Sequence, residues 1–252
     1  MKTGLKITLI AVGTAVIAST VLIAGFSGLP SKKRAEEQYG ETLGFVAEAY
    51  PYAALEAPAD YVSCKQQSVS LMMPADLEPL STDPESVKSH IFIDADKSVM
   101  IMVEKPFDFG AFELAKIDDQ TSADALAKFC RAMGREPLSD WYSYYDLIYH
   151  MTIDDCNIHS AKQAAVFETM AYAKSESVTG LYETCWDWEN PAGDKGFIFM
   201  RERDPDAENS KNVMQYDLLV QLLDGSTSYD TMIRANDLET CCRIANTVRI
   251  EK

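Results

Sequence analysis

Residues 214–233, MQYDLLVQLLDGSTSYDTMI, consist of two runs of alternating side chains joined by a short turn. The apolar residues of the first run fall at every second position, as on the buried face of a strand: Met214, Tyr216, Leu218, Val220 and Leu222. Asp224-Gly225 is a strong signal for a two-residue hairpin turn, because both residue types tolerate positive φ angles. We therefore expect an antiparallel hairpin whose second strand reaches about Ile233.

Two more strands are predicted just before this hairpin. In residues 182–189, aromatic residues and a threonine alternate with acidic residues and a cysteine, which is the period of a strand. The segment 190–194, NPAGD, then supplies turn residues. Residues 196–203 begin GFIFM and are apolar on both faces, so we expect this strand in the middle of the sheet.

The end of the chain is predicted to be an amphipathic helix over residues 237–248. Asn236 is a candidate N-cap, with Glu239 three residues later. The apolar residues then repeat at helical spacing: Leu238, Cys241, Cys242, Ala245 and Val248. Because both cysteines fall on the apolar face, we interpret them as buried packing residues rather than a redox pair.

The first half of the chain adds strands and then helices. Residues 68–73 alternate and stop at a proline, and residues 89–94 and 98–104 are predicted to pair as a hairpin. Helical spacing follows over residues 121–174, in three segments behind the cap candidates Thr121, Ser122, Ser139 and Ser160. This order predicts an α+β fold, one antiparallel sheet with helices packed on it, in a single domain over 59–252.

Two stretches carry a resemblance to a known fold. Residues 68–74, SVSLMMP, resemble the first strand of the PsbP-like fold, which often ends at a proline. Residues 180–250 resemble its closing strands, helix and tail. The resemblance implies a role in binding or assembly, and it implies no shared catalytic residues. The chain as a whole also resembles bacterial membrane-anchored proteins.

The N-terminal region, 1–34, is predicted to be a membrane anchor. Residues 7–29 contain no charge and are long enough to cross a bilayer as one helix, so this helix should precede the α+β domain. A cleaved signal peptide is the alternative, but the apolar run is long and residues 22–27 offer no good cleavage site. A juxtamembrane segment, 35–58, should follow, with a helix from Glu41 to Tyr50.

The orientation of a single-pass signal-anchor depends on the charges beside it. Lys2 and Lys6 lie on one side, and the basic residues 32–34 lie on the other. These charges balance, and a short N-terminal tail with an uncleaved signal-anchor usually stays inside. We therefore expect an exported domain, with a cytosol-facing domain as the alternative.

The charge of the chain restricts its partners. The net charge is −16, and all 39 acidic residues come after Arg34, against 18 basic residues there. A region with a net charge of −21 repels phosphate backbones, so we exclude nucleic acid as a partner. The predicted partners are the lipid bilayer, through residues 7–29, and an unidentified protein or small molecule.

Metal-ligand residue types are concentrated in one short stretch. His150, Cys156 and His159 offer the imidazole and thiolate ligands that suit zinc, with Asp154 and Asp155 between them. Their spacing matches no zinc signature, and turn and cap roles explain the polar residues equally well. The six cysteines contain no C-x-x-C, and we expect them to be reduced and buried. We predict no cofactor.

One aromatic stretch is a candidate ligand platform: Trp141, Tyr142, Tyr144, Tyr145 and Tyr149. Trp141, Tyr144 and Tyr145 belong to the apolar stripe of their helix, whereas Tyr142 and Tyr149 fall outside it and should be more exposed. No nucleophile, metalloprotease or phosphate-loop motif occurs. We therefore expect a binding or assembly module, with two alternatives: a metal-dependent enzyme using His150, Cys156 and His159, or a cytosol-facing sensor or scaffold.

Overall fold

A computed structural model of the chain describes residues 26–80, 88–112, 122–178, 182–203 and 214–251. These residues group into two compact units. The helical unit contains the described residues up to 44, then 122–138 and 151–177, and the sheet unit contains the remainder. The segments of the two units alternate along the chain.

The helical unit is built from three helices: α1, Leu29–Gly44; α2, Ala123–Ala132; and α4, Ala161–Ser177. A 3-10 turn, Ile153–Asp155, precedes α4. Helix α1 packs along α4, and Arg34 is paired with Glu168 at 2.9 Å. The ring of Phe129 on α2 packs edge-on against Phe167 on α4. The side chain of Ser122 caps α2 by accepting a hydrogen bond from Ala125 N, as the sequence predicted.

The region after the predicted anchor differs from expectation. The predicted helix from Glu41 to Tyr50 is wrong, because α1 ends at Gly44 and residues 47–49 form a strand. Residues 26–28 form a turn before α1, which begins at Leu29, so the prediction of one continuous helix over 7–29 is wrong at its C-terminal end. Residues 7–25 lie outside the described residues. No helix among the residues described here has both the length and the apolar character needed to cross a membrane.

The sheet unit contains two sheets. The strands of the larger sheet are β1, Ala47–Ala49; β4, Glu78–Pro79; β5, Ser89–Ile93; β6, Val99–Glu104; β7, Phe107–Asp108; β8, Thr184–Glu189; β9, Lys195–Glu202; β10, Tyr216–Asp224; and β11, Thr227–Ala235. Their order is β1-β8-β9-β10-β11-β6-β5-β4, with β7 also paired to β11. The pairings are antiparallel except that of β1 with β8. The smaller sheet joins β2, Val62–Gln66, and β12, Arg249–Ile250, to β3, Val69–Met73.

Most of the predicted strands are confirmed. The two predicted hairpins are present as β5–β6 and β10–β11, and β8 to β11 form the expected antiparallel run. The prediction of one sheet is incomplete, because β3 belongs to the smaller one. The mixed α+β class is confirmed, with a large and mostly antiparallel sheet.

Two helices cover opposite faces of the larger sheet. Helix α5, Leu238–Ala245, packs in a core with Ile198 and the alternate residues of β10 and β11. Helix α3, Trp141–His150, contacts the neighbouring residues Phe197 and Phe199, which point to the other face. Cys241 and Cys242 are fully buried, as predicted. The predicted cap Asn236 is wrong by one residue, because Asp237 accepts the hydrogen bond from Thr240 N.

Candidate functional site

Helix α3 places an aromatic surface at its N-terminal end. We define this surface by five rings: Phe107, Phe109, Phe112, Trp141 and Tyr145. Phe109 lies 4.9 Å from Trp141 and 5.0 Å from Phe107, centroid to centroid. Trp141 also packs edge-on against Phe112, and its Nε1 donates to the carbonyl of Gly110 at 3.0 Å. Phe107 is 60% exposed, and the other four rings are half-buried.

The aromatic surface of the structure includes only some of the residues of the predicted ligand platform. Trp141 and Tyr145 contribute to the aromatic surface, whereas Tyr144 is buried. Tyr149 was expected outside the buried stripe, and this was wrong, because its ring packs against Phe197 and is only 3% exposed. Helical spacing could not assign this face, since the sheet below α3 presents large rings that both Tyr142 and Tyr149 contact.

Acidic groups lie beside the aromatic surface on the same face of the sheet. Asp230 on β11 has a raised pKa, chiefly because it is buried and also because the charge of Glu104 lies nearby. The hydroxyl of Ser228 opposes this effect by donating a hydrogen bond at 2.6 Å. Burial raises the pKa of Tyr145 to about 12, and Tyr144 and Asp230 add to the shift. The carboxyl groups of Glu104 and Asp230 therefore lie near these rings, an arrangement that favours a cationic ligand.

The other end of α3 carries a triad of Asp146, His150 and Asp187. His150 Nδ1 lies 2.8 Å from the backbone oxygen of Asp146 and 3.1 Å from its Oδ1. His150 Nε2 lies 2.7 Å from Asp187 Oδ2, on strand β8. The hydrogen bonds to Asp146 and Asp187 raise the pKa of His150 from its usual 6.5 to about 10, against the opposing effect of burial. The imidazolium form therefore satisfies all three acceptors at neutral pH.

This triad is the group of described side chains whose ligand atoms lie close enough together to hold a metal ion. A metal at His150 Nε2 would have to displace the proton that binds Asp187, and the raised pKa opposes this exchange. Asp187 Oδ1 is buried without a hydrogen-bond partner among the described residues, so the triad retains one unused ligand atom. The arrangement of Asp146, His150 and Asp187 therefore favours a protonated His150 over a bound metal ion.

The triad contains only one of the three predicted metal ligands. Cys156 and His159 belong to the helical unit. Cys156 is buried, and burial raises the pKa of its thiol. The ring of His159 packs against Phe26 at 5.3 Å. Sequence analysis missed Asp146 and Asp187, although the spacing of Asp146 and His150 by one helical turn was a usable signal.

A cavity of about 310 Å³ lies beside the smaller sheet, where Leu71, Asn190, Asn246 and Arg249 are among its lining residues. Much of its polar lining is bonded within the protein. Asn190 Nδ2 donates to Asp194 Oδ2 and to the carbonyl of Val248, and Arg249 Nε donates to Ser70 Oγ. These bonds stabilise the turn after β8 and the C-terminal strand.

Comparison with known proteins bears on the fold alone. No protein-family model matches the chain, and no protein with a curated description does. The solution structure of cyanobacterial PsbP (CyanoP) from Synechocystis sp. PCC 6803 is similar over 77% of this chain and 94% of its own, with 10% identity and a TM-score of 0.37. A crystal structure from Bacteroides thetaiotaomicron matches 73% of this chain and 46% of its own, with 9% identity and a TM-score of 0.28. The chain therefore has a weak PsbP-like resemblance.

Proposed function

We propose that the chain is a membrane-anchored, non-enzymatic binding or assembly module that docks a basic segment of a partner protein on its aromatic surface. The observation that carries this proposal is the cluster of accessible rings around Trp141, with Phe107 60% exposed. Contiguous apolar patches that solvent can reach often mark the sites at which a protein binds a partner. Aromatic anchors supply much of the binding energy at protein interfaces.

The basic character of the partner follows from charge. The net charge of −16 attracts cationic segments and repels acidic ones. Arginine and lysine side chains bind over the faces of tryptophan and tyrosine, which adds a specific attraction at Trp141 and Tyr145. The half-buried carboxyl of Asp230 lies close enough to contribute to the raised pKa of Tyr145, and it adds to the attraction for a cation when it is ionised.

The anchor and its orientation are part of the proposal. They are supported by the uncharged run that begins at residue 7 and by Lys2 and Lys6 before it. With the span ending before Phe26, about nineteen residues remain, which is within the range for a transmembrane helix. The domain would be displayed on the outer side. A reporter fused at Lys252 separates this topology from the cytosol-facing sensor or scaffold.

Binding of an oligoarginine peptide to the full chain in detergent micelles tests the docking surface. Trp141 is a natural probe, because it is half-buried whereas Trp186 and Trp188 are only 5% exposed. We expect saturable quenching, and about tenfold weaker binding for Phe107→Ser. Val62→Ser is the matched control, since Val62 is an exposed apolar residue on the smaller sheet. Equal affinities in the two variants would contradict the proposal.

A metal-dependent enzyme is the second candidate, and the Asp146–His150–Asp187 triad is the observation that favours it. His150 would be a ligand, and Asp187 would be the nearest carboxylate. Metal analysis of the natively purified protein tests this candidate. A zinc content well below one per chain would leave it without a basis.

A further inference from the structure

We propose that the helical unit rests directly on the bilayer through a seat made of Phe26, Leu29 and His159. This inference rests on the proposed anchor, and it adds a second lipid contact made by the folded domain itself. The seat would hold the helical unit at a fixed orientation relative to the membrane, rather than leaving it on a flexible tether.

The chain is tied to the helical unit as soon as it leaves the predicted span. Gly28 N donates to the carbonyl of Ile158 at 2.8 Å, and Ser27 Oγ accepts a hydrogen bond from Ala161 N at 3.2 Å. Gly28 lies so close to this segment that a β-carbon there would come within 2.5 Å of Asn157 O and 2.8 Å of Ala164 Cβ. The chain is therefore hydrogen-bonded to the helical unit from Ser27 onward.

The residues at this junction have the character of a membrane interface. Phe26 is 42% exposed and Leu29 is 40% exposed, although both lie in a packed segment. The ring of Phe26 contacts the exposed imidazole of His159. His159 has an apolar ring with polar nitrogens, which suits the headgroup level of a bilayer, and Phe26 and Leu29 offer apolar surface to the lipid beside it.

The short length of chain between the proposed span and Phe26 also supports a position of Phe26 in the headgroup region. One residue of extended chain spans at most about 3.6 Å. The headgroup region on each side of the hydrocarbon is roughly 5–7 Å thick. If residue 25 ends the apolar span, Phe26 lies within that region, and the hydrogen bonds of Ser27 and Gly28 bring residues 158–161 beside it.

The contact should depend on apolar burial rather than on lipid charge. Of the basic residues 32–34, Lys32 lies 3.6 Å from Asp154 and Arg34 is paired with Glu168, whereas Lys33 is exposed. The chain after Arg34 is acidic overall, so anionic lipid would repel it. The seat should therefore form on neutral phosphatidylcholine, and salt should affect it little.

Fluorescence quenching on vesicles tests the seat with the full chain reconstituted in phosphatidylcholine that contains brominated lipid. All six native cysteines are buried, so a dye can be attached at an introduced His159→Cys. Glu41→Cys is the matched control, because Glu41 is exposed on α1 about 18 Å from Leu29 along the helix axis. We expect quenching at position 159 to be at least about threefold stronger than at position 41.

Replacing both Phe26 and Leu29 with serine should reduce the quenching at position 159 about threefold, while the protein stays on the vesicles. Co-sedimentation separates the two proposals. Protein that does not sediment with the vesicles contradicts the anchor. Protein that sediments but shows equal quenching at positions 159 and 41, or no loss in the serine variant, overturns the seat.

Discussion

At the scale of single residues, His150 links the end of α3 to strand β8 by charge. Its pKa is raised from 6.5 to about 10 by Asp146 and Asp187, so the folded state holds a proton that the unfolded chain releases above about pH 6.5. The stabilisation is therefore complete below about pH 6.5, decreases as the pH rises, and is lost above about pH 10.

His150→Gln should lower the free energy of unfolding by about 2 kcal/mol near pH 6, and by much less above pH 10. The expected loss is smaller than the full pKa shift of His150 implies, because the Asp187 side chain is 37% exposed and solvent screens the His150–Asp187 ion pair. Urea unfolding followed by tryptophan fluorescence measures it, since Trp141, Trp186 and Trp188 all lie in the sheet unit. His90→Gln is the control, and an equal, pH-independent loss in both variants would contradict the charge role.

Cys241 and Cys242 give a second residue-scale prediction. Both thiols are fully buried, and burial raises the pKa of each, that of Cys242 to about 11. Iodoacetamide should therefore modify neither cysteine in the native state and both in urea.

Replacement of either cysteine by alanine should lower the free energy of unfolding by about 1 kcal/mol. Replacement by aspartate should lower it far more, because the charge would lie unpaired in the core. Mass spectrometry after labelling checks the first part, and a Cys241–Cys242 disulfide would disprove the helix assignment.

At the scale of elements, the pairing of β9 with β10 depends on Gly196. A β-carbon at this position would overlap the carbonyl oxygen of Gln221 on the neighbouring strand. Gly196→Ala should therefore lower the free energy of unfolding by about 3 kcal/mol, because backbone rather than a flexible side chain must move.

Thermal unfolding followed by circular dichroism measures this effect. Gly40→Ala in α1 is the matched control, because nothing lies within 4 Å of the added carbon there. Alanine in a helix should stabilise that unit by up to about 1 kcal/mol. Equal changes in the two variants would show that the contact with Gln221 does not govern the pairing.

At the scale of the whole molecule, the net charge of −16 should destabilise the compact state by self-repulsion. Raising sodium chloride from about 10 mM to about 300 mM shortens the screening distance several-fold. We expect the free energy of unfolding to increase by on the order of 1 kcal/mol. Urea titrations at the two salt concentrations measure the change. A decrease would mean that ion pairs such as Arg203–Asp217, at 2.6 Å, outweigh the repulsion.

Local patterns were enough to predict much of the secondary structure. The strands of the β10–β11 hairpin and the burial of Cys241 and Cys242 follow from periods of two and 3.6 residues, which record contacts between near neighbours in sequence. Asp224-Gly225 indicated the hairpin for the same reason, although the two-residue loop is Gly225-Ser226, because Asp224 pairs with Thr227 as the last residue of β10. Each of these features is determined by residues that lie close together in the sequence.

Only the tertiary structure brought the candidate sites together. Asp187 follows His150 by 37 residues, and Trp141 follows Gly110 by 31, so no local spacing could indicate that they meet. The burial of Tyr149 also depended on which rings the sheet presents beneath α3. Contacts between residues far apart in sequence depend on how helices and strands pack together. The periodicity of one sequence shows which face of an element is apolar, but it does not show which other element that face contacts.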